Sequence, residues 1–247
     1  MSASAAQGAG ASSPAPPAIR VGGLIRFSST DWPGRLAAVL FLQGCPWHCG
    51  YCHNPHLQLR TGASPLQWPQ VIELLRRRVG LIDAVVFSGG EPTTDPALAD
   101  AILAVKALGF EVGLHTAGTY PQRLAAILPL LDWVGIDVKA PFEHYARITG
   151  VGGSGAPARA CVEAVIKSGV RHECRTTVHP ALLAEHEILA LAQTLAGLGV
   201  ADYALQLFRA TGCNDAALHA SAVAAYPGQQ LQSQLAALFP RFTLRRV

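Results

Sequence analysis

Charge is scarce in this sequence. Of 247 residues only 14% are charged against 50% hydrophobic. A chain this apolar has side chains enough for a large core and lacks the composition of a disordered protein. The formal charge is +3, from 19 basic and 16 acidic side chains, too mild a balance for the field a nucleic-acid binder uses. The one basic run, Arg76-Arg77-Arg78, closes an apolar-periodic segment without interleaved aromatics. It reads as a solvated helix face and not as a phosphate-binding stripe. Targeting signals are missing too. The first 18 or so residues are mostly Ala, Ser, Pro and Gly, with no charged side chain before Arg20. They lack the basic start and apolar run of a secretory signal and the arginines of a transit peptide. No later stretch is long and apolar enough to span a bilayer; Leu124 to Val138 comes nearest and is broken by Pro129 and Asp132. The expectation is a disordered tail over residues 1–20 and one cytoplasmic, membrane-free domain over 21–247.

Nor do the six cysteines form a disulfide framework. Cys45, Cys49 and Cys52 crowd together, while Cys161, Cys174 and Cys213 are scattered. Without a secretion signal, a tight cluster of thiols points to a metal centre in a reducing compartment. The scattered three read as buried small apolar residues.

What the chain does have is a rhythm. Short apolar runs at Ala37–Leu42, Ala84–Phe87, Glu111–His115, Trp133–Val138, Glu173–Val178 and Tyr203–Phe208 are strand candidates. Amphipathic segments at Trp68–Arg78, Pro96–Leu108, Pro121–Leu131, Ala158–Ser168 and Ala184–Leu198 lie between them. Asp95-Pro96 offers a helix cap followed by proline, and Gly109 and Gly169 stand where C-terminal glycines belong. A further helix over Gly228–Leu238 and a final strand are expected near the end. Alternation of this kind implies βαβ units, a parallel sheet and, through right-handed crossovers, a barrel or partial barrel. In such folds the loops at the C-terminal ends of the strands carry function. The special residues of this chain fall there: Gly44-Cys45-Pro46, Ser88-Gly89-Gly90-Glu91-Pro92, His115-Thr116-Ala117-Gly118, Asp137-Val138-Lys139, Arg175-Thr176-Thr177 and Gln206 to Arg209.

The loop Cys45-Pro-Trp-His-Cys49-Gly-Tyr-Cys52 has the spacing CxxxCxxC. Three thiolates on a compact loop can hold a 4Fe–4S cube and leave one iron open to an exchangeable ligand. The competing reading is a structural zinc with His48, His53 or His56 as fourth ligand. Ser88-Gly89-Gly90-Glu91 suits an amino-acid ligand, because glycines admit close backbone approach and Glu91 supplies a charge-assisted acceptor for an ammonium group. Asp137 and Lys139, two apart on a strand, face one side; an acid and a base inside a barrel are paired or functional. The guanidinium fork of Arg175 suits a carboxylate.

The cysteine spacing with Tyr51 before its third thiol, followed by Gly89-Gly90-Glu91-Pro92, resembles the radical S-adenosylmethionine (SAM) superfamily. Asp31-Trp32-Pro33-Gly34-Arg35 and Cys52-His53-Asn54-Pro55 make it most similar to activating proteins of glycyl radical enzymes, above all those of anaerobic ribonucleoside-triphosphate reductases. The similarity runs from about Val21 to the C-terminus. It implies an α/β fold, a partial (β/α)6 TIM-like barrel with parallel strands, that carries a 4Fe–4S cluster on Cys45, Cys49 and Cys52. It also implies a SAM pocket of Tyr51, Gly89, Gly90, Glu91, Thr116, Asp137, Lys139 and Arg175. In that pocket Gly89-Gly90-Glu91 holds the amino group, Arg175 faces the carboxylate, and Thr116 contacts the ribose. The implied partners are a glycyl radical enzyme and a flavodoxin or ferredoxin as electron donor. His115-Thr116-Ala117-Gly118 departs from the family's usual Thr-Asn-Gly with an acid before it, so a monovalent-cation site and an asparagine contact to the ribose are not expected. Two rivals remain: a small-molecule radical SAM enzyme resembling the 7-carboxy-7-deazaguanine synthases, and a non-catalytic Fe–S or zinc module.

Overall fold

Apolar side chains on both faces of the strands set the architecture, as a parallel sheet covered on two sides requires. The computed structural model describes residues 19–60, 64–219 and 226–246; the tail expected at the start lies, up to residue 18, outside them. The six expected strands are present as β2 Ala37–Leu42, β3 Ala84–Gly89, β4 Glu111–Thr116, β5 Trp133–Asp137, β6 Arg171–Val178 and β7 Asp202–Leu207. They pair in parallel and in chain order. Two further strands widen the sheet: one ahead of the six, which was not anticipated, and the final strand expected near the end. β1, Val21–Ser28, pairs antiparallel with β2, and β8, Arg241–Arg245, pairs parallel with β7. The sheet order runs from β1 to β8 without β8 returning to β1, so the barrel is partial and open at one side.

Helices α1 Trp68–Arg76, α2 Leu98–Lys106, α3 Pro121–Ile127, α4 Tyr145–Thr149, α5 Gly155–Ser168, α6 Glu185–Gly197, α7 Ala216–His219 and α8 Gln229–Leu238, with four short 3-10 turns, complete the described elements. Several expected helix boundaries move: the helix expected from Ala158 begins at Gly155, and the one expected to reach Leu131 ends at Ile127. The second helix begins at Leu98 and not at Pro96, because Asp95 builds a turn ahead of it: its Oδ1 accepts from Ala97 N and its carbonyl from Leu98 N. None of these helices is long and apolar enough to cross a membrane.

The period-2 alternation of the strands separates two cores. Ala38, Leu40 and Leu42 of β2, Val85 and Phe87 of β3, and Val112 and Leu114 of β4 face the helices in one large cluster. Ala37, Val39, Ala84, Val86 and Trp133 face the barrel interior, where Trp32 joins them from the β1–β2 connection. Trp32 is 1% exposed and stacks on Trp133 with ring centroids 5.4 Å apart. Gly113 makes this possible: a Cβ there would stand 2.9 Å from the Trp32 ring. Arg171 lies over the same ring, and Glu111 pairs with both Arg35 and Arg171. The N-terminal end of the barrel is thereby plugged by aromatic rings under a lid of ion pairs.

Candidate active site

The opposite end is open. A cleft enclosing about 830 Å³ of space, part of it in contact with solvent, lies at the C-terminal ends of β2 to β6. Cys45, Cys49 and Cys52 line one wall. The loop that carries them leaves β2 and is closed by its own backbone: Gly44 N donates to Leu57 O at 2.8 Å and Cys45 N to Gln58 O at 3.0 Å. All three thiols are half-buried and free of disulfides, as are the fully buried Cys161, Cys174 and Cys213. Burial pushes the Cys45 thiol up to about 12 and raises Cys49 as well.

Facing the loop, Gly89 and Gly90 form the floor. Their small size serves the protein's own packing. A Cβ at Gly89, whose φ is +117°, would overlap the Leu42 backbone, and one at Gly90 would overlap the carbonyl of Gly44. Gly90 N donates to Leu42 O at 2.9 Å and Glu91 N to Gly44 O at 2.8 Å, so this segment is laced to the start of the cysteine loop.

Glu91 departs from the sequence expectation. Its side chain does not line the cleft; it is fully buried beneath it. Oε1 accepts from Thr93 N at 3.1 Å, Thr93 Oγ1 at 2.5 Å and Thr116 Oγ1 at 2.8 Å, and Oε2 accepts from Ala117 N at 2.8 Å. These bonds tie the loop after β3 to the end of β4. Burial raises the carboxyl pKa although all four bonds pull it down. Thr116 lines the cleft while its hydroxyl is spent on Glu91.

Across the floor, β5 and β6 bring Asp137, Lys139 and Arg175 together. Arg175 Nε donates to Asp137 Oδ1 at 2.9 Å, and Lys139 Nζ stands 3.8 Å from Asp137 Oδ2. The fork of Arg175 is thus directed at the chain itself, with Nη2 donating to Gly135 O at 3.4 Å. A Cβ at Gly135 would stand 2.8 Å from Nη1, so the glycine is what lets the guanidinium lie against β5. Burial opposes charge on Asp137, yet Arg175 and Lys139 hold its carboxyl below the usual range. Burial likewise opposes charge on Lys139, but Tyr51, Cys49 and Asp137 keep it protonated, well above the ordinary lysine value. The ammonium lies 5.4 Å from the centroid of the Tyr51 ring. Next to this group, burial and Arg175 push His115 down to about 4. Its Nε2 stands 2.7 Å from Asp31 O and 3.0 Å from Arg175 Nη1, and its Nδ1 stands 3.3 Å from Ser88 Oγ.

Of the residues expected at the site, Cys45, Cys49, Cys52, Tyr51, Gly89, Gly90, Thr116, Asp137, Lys139 and Arg175 line this one cleft. Trp47, Asn54, Gln58 and Thr177 line it too; the sequence assigns none of them a role at the site, although Asn54 and Thr177 stand in the segments singled out. Thr177 had a signal, since it stands two residues after Arg175 and the strand period places both on one face. The zinc alternative fits poorly. Among the described residues no three His, Cys, Asp or Glu side chains converge to hold a single metal ion, and His53 Nε2 is occupied by Arg209 O at 3.0 Å. A larger cluster touching three separate thiols suits the donor set better. Buried cations at Lys139 and Arg175 beside them favour an anionic group.

A family model described as the Radical SAM superfamily matches residues 39–194, and the chain belongs to that superfamily. A protein of Methanocaldococcus jannaschii, named as a glycyl-radical enzyme activating enzyme, is 33% identical over 200 residues, covering 76% of this chain and 79% of the relative. The pyruvate formate-lyase-activating enzyme of Clostridium pasteurianum is 33% identical over 158 residues, 62% of this chain and 65% of the relative. Among solved structures, SuiB of Streptococcus suis superposes with a TM-score of 0.64 at 13% identity, over 83% of this chain and 47% of SuiB. At that identity the likeness shows the fold alone, and the chain spans about half the length of that structure. The superfamily uses a 4Fe–4S cluster and SAM.

Proposed function

We propose that this radical SAM protein is the activating enzyme of a glycyl radical enzyme, and that its target is an anaerobic ribonucleoside-triphosphate reductase. The observation that carries the reading is the extent of the similarity: one-third identity over 76% of the chain to a protein named as such an activase. The Cys52-His53-Asn54-Pro55 and Asp137-Val138-Lys139 runs support it further.

In this reading Cys45, Cys49 and Cys52, which line one cleft, would hold the 4Fe–4S cluster beside the site where SAM would bind. A 4Fe–4S cluster held there, with a flavodoxin or ferredoxin as donor, would supply the electron for reductive cleavage of SAM. The chain's part is to bind and aim. The laced backbone of Gly89 and Gly90 sets the floor on which the amino end of SAM rests. Glu91 acts from below, fixing Thr116 and Ala117 at the ribose side. Asp137, held charged by Arg175 and Lys139, and Lys139, held charged by Tyr51, Cys49 and Asp137, offer one partner of each sign to a zwitterionic ligand. The plug of Trp32 and Trp133 keeps water from reaching the cleft through the N-terminal end of the barrel. The target is the α-hydrogen of a glycine, where no side chain blocks approach and the resulting radical is delocalised over two amides.

The test is anaerobic reconstitution with iron and sulfide, addition of SAM and reductant, and electron paramagnetic resonance of the mixture with the reductase. A glycyl doublet together with 5′-deoxyadenosine is expected. Formation of 5′-deoxyadenosine without a doublet would move the assignment to a small-molecule enzyme. Absence of both would end the radical SAM activity proposed for this chain.

A further inference from the structure

The cysteine loop is held from two sides. Its first half rests on neighbours fixed by backbone bonds: Gly44 and Cys45 on the 57–58 carbonyls, and His48 N on Thr149 O at 2.8 Å, at the end of α4. Its second half meets a different part of the chain, the segment that follows β7. His53 Nε2 donates to Arg209 O at 3.0 Å. The Cys213 thiol donates to Gly50 O at 3.6 Å and accepts from Asp215 N at 3.4 Å. Gly212, at φ +86°, lies so close to His53 O that a Cβ would overlap it. Cys213 is 6% exposed, and neither it nor Gly212 lines the cleft.

We infer that the segment Arg209–Asp215 is a clamp that sets the position of the second half of the cysteine loop, with Gly212 and Cys213 as its positioning residues. Three thiolates must meet a rigid cluster at fixed separations, so a loop held in place before the metal arrives loses less freedom on binding. Cys52 lies between the two points that the clamp touches, Gly50 and His53, whereas Cys45 is governed by the first set of anchors. Cys213 therefore has a task beyond filling space. Its S–H is a weak donor, worth little alone, but it acts together with a glycine contact that admits no other side chain. The inference rests on the reading that Cys45, Cys49 and Cys52 hold the cluster. Its test requires no partner protein, so it can fail or succeed apart from the activase assignment.

The experiment compares the full chain with Cys213→Ala, Cys213→Ser and Gly212→Ala. Metal-free protein is treated with iodoacetamide and the rate at each cysteine is mapped by mass spectrometry; iron loss to EDTA is then followed after reconstitution. Circular dichroism and melting confirm that each variant is folded. Cys213→Ala is expected to speed labelling of Cys52 roughly two- to fivefold, the scale of a weak hydrogen bond, with Cys45 unchanged. Cys213→Ser, which keeps a donor to Gly50 O, should restore the parent rate. Gly212→Ala should raise Cys52 labelling about tenfold, as a steric conflict at a positive φ exceeds one weak bond, and hasten iron loss in step. Equal acceleration at Cys45 and Cys52, no change at either, or a Ser variant that behaves like Ala would each overturn the clamp.

Discussion

At the N-terminal ends of the strands, Trp32 lies on Trp133 behind Gly113, and Arg35 and Arg171 pair with Glu111 at the rim. At the C-terminal ends of the same strands, Asp137, Lys139 and Arg175 stand in a cleft with three free thiols. One end spends its residues on exclusion and the other on reactivity. Each depends on its opposite, because buried charges and a cluster loop can be tolerated at one mouth only if the other is sealed.

The comparison can be broken from either end. The largest effect is expected at the open mouth: Cys49→Ala should abolish the broad visible absorption of the reconstituted cluster while circular dichroism still reports a folded barrel. A full four-iron content in that variant would remove Cys49 from the ligands. At the sealed end, Trp32→Ala should leave a cavity and cost about 3–5 kcal/mol in urea melts; a loss below about 1 kcal/mol would mean the plug carries no weight. Glu91 sits between the two. Its replacement by Ala strands four donors and should weaken SAM binding about tenfold by equilibrium dialysis, with iron content retained. Unchanged affinity would confine Glu91 to the scaffold.

Smaller effects sharpen the contrast. His115 is held down to about 4 in the fold but takes up a proton near pH 6.5 when unfolded. Between those values the unfolded chain binds more protons, so stability falls as the pH drops through that window. His115→Asn should flatten the slope between pH 6.5 and pH 5 in urea melts of the metal-free chain; an unaltered slope would place the titration elsewhere. Least of all, Arg35→Ala removes an exposed pair, and its urea midpoint should barely move.

Much of this was legible in the residues themselves. The strands of the central sheet announce themselves as apolar runs bounded by polar turns, and the CxxxCxxC loop and Gly89-Gly90 mark the ends where chemistry gathers. β1 was not legible. Its run Val21-Gly22-Gly23-Leu24 carries glycines that weaken any strand pattern, and it is stabilised by pairing with β2, which periodicity along one segment does not reveal. Glu91 was read as a ligand contact because a carboxylate beside two glycines suits an ammonium group. Its four hydrogen-bond partners come from two loops far apart in sequence, so its inward turn is a tertiary fact. The same holds for Arg175, whose fork is captured by Asp137 across a strand pair, and for Cys213, which looked like filler until the segment around it was seen against Gly50.

The contact of Gly89 and Gly90 with Leu42 and Gly44 has a mechanical consequence. Two backbones that touch without a side chain between them move as one plate, so the surface under the small ligand and the root of the metal-bearing loop share a single set of coordinates. A lineage that altered its substrate could remodel the far edge of the sheet at β7 and β8, but any drift in this plate would misalign electron source and acceptor at once. Versatility in such a barrel has to be sought far from its glycines.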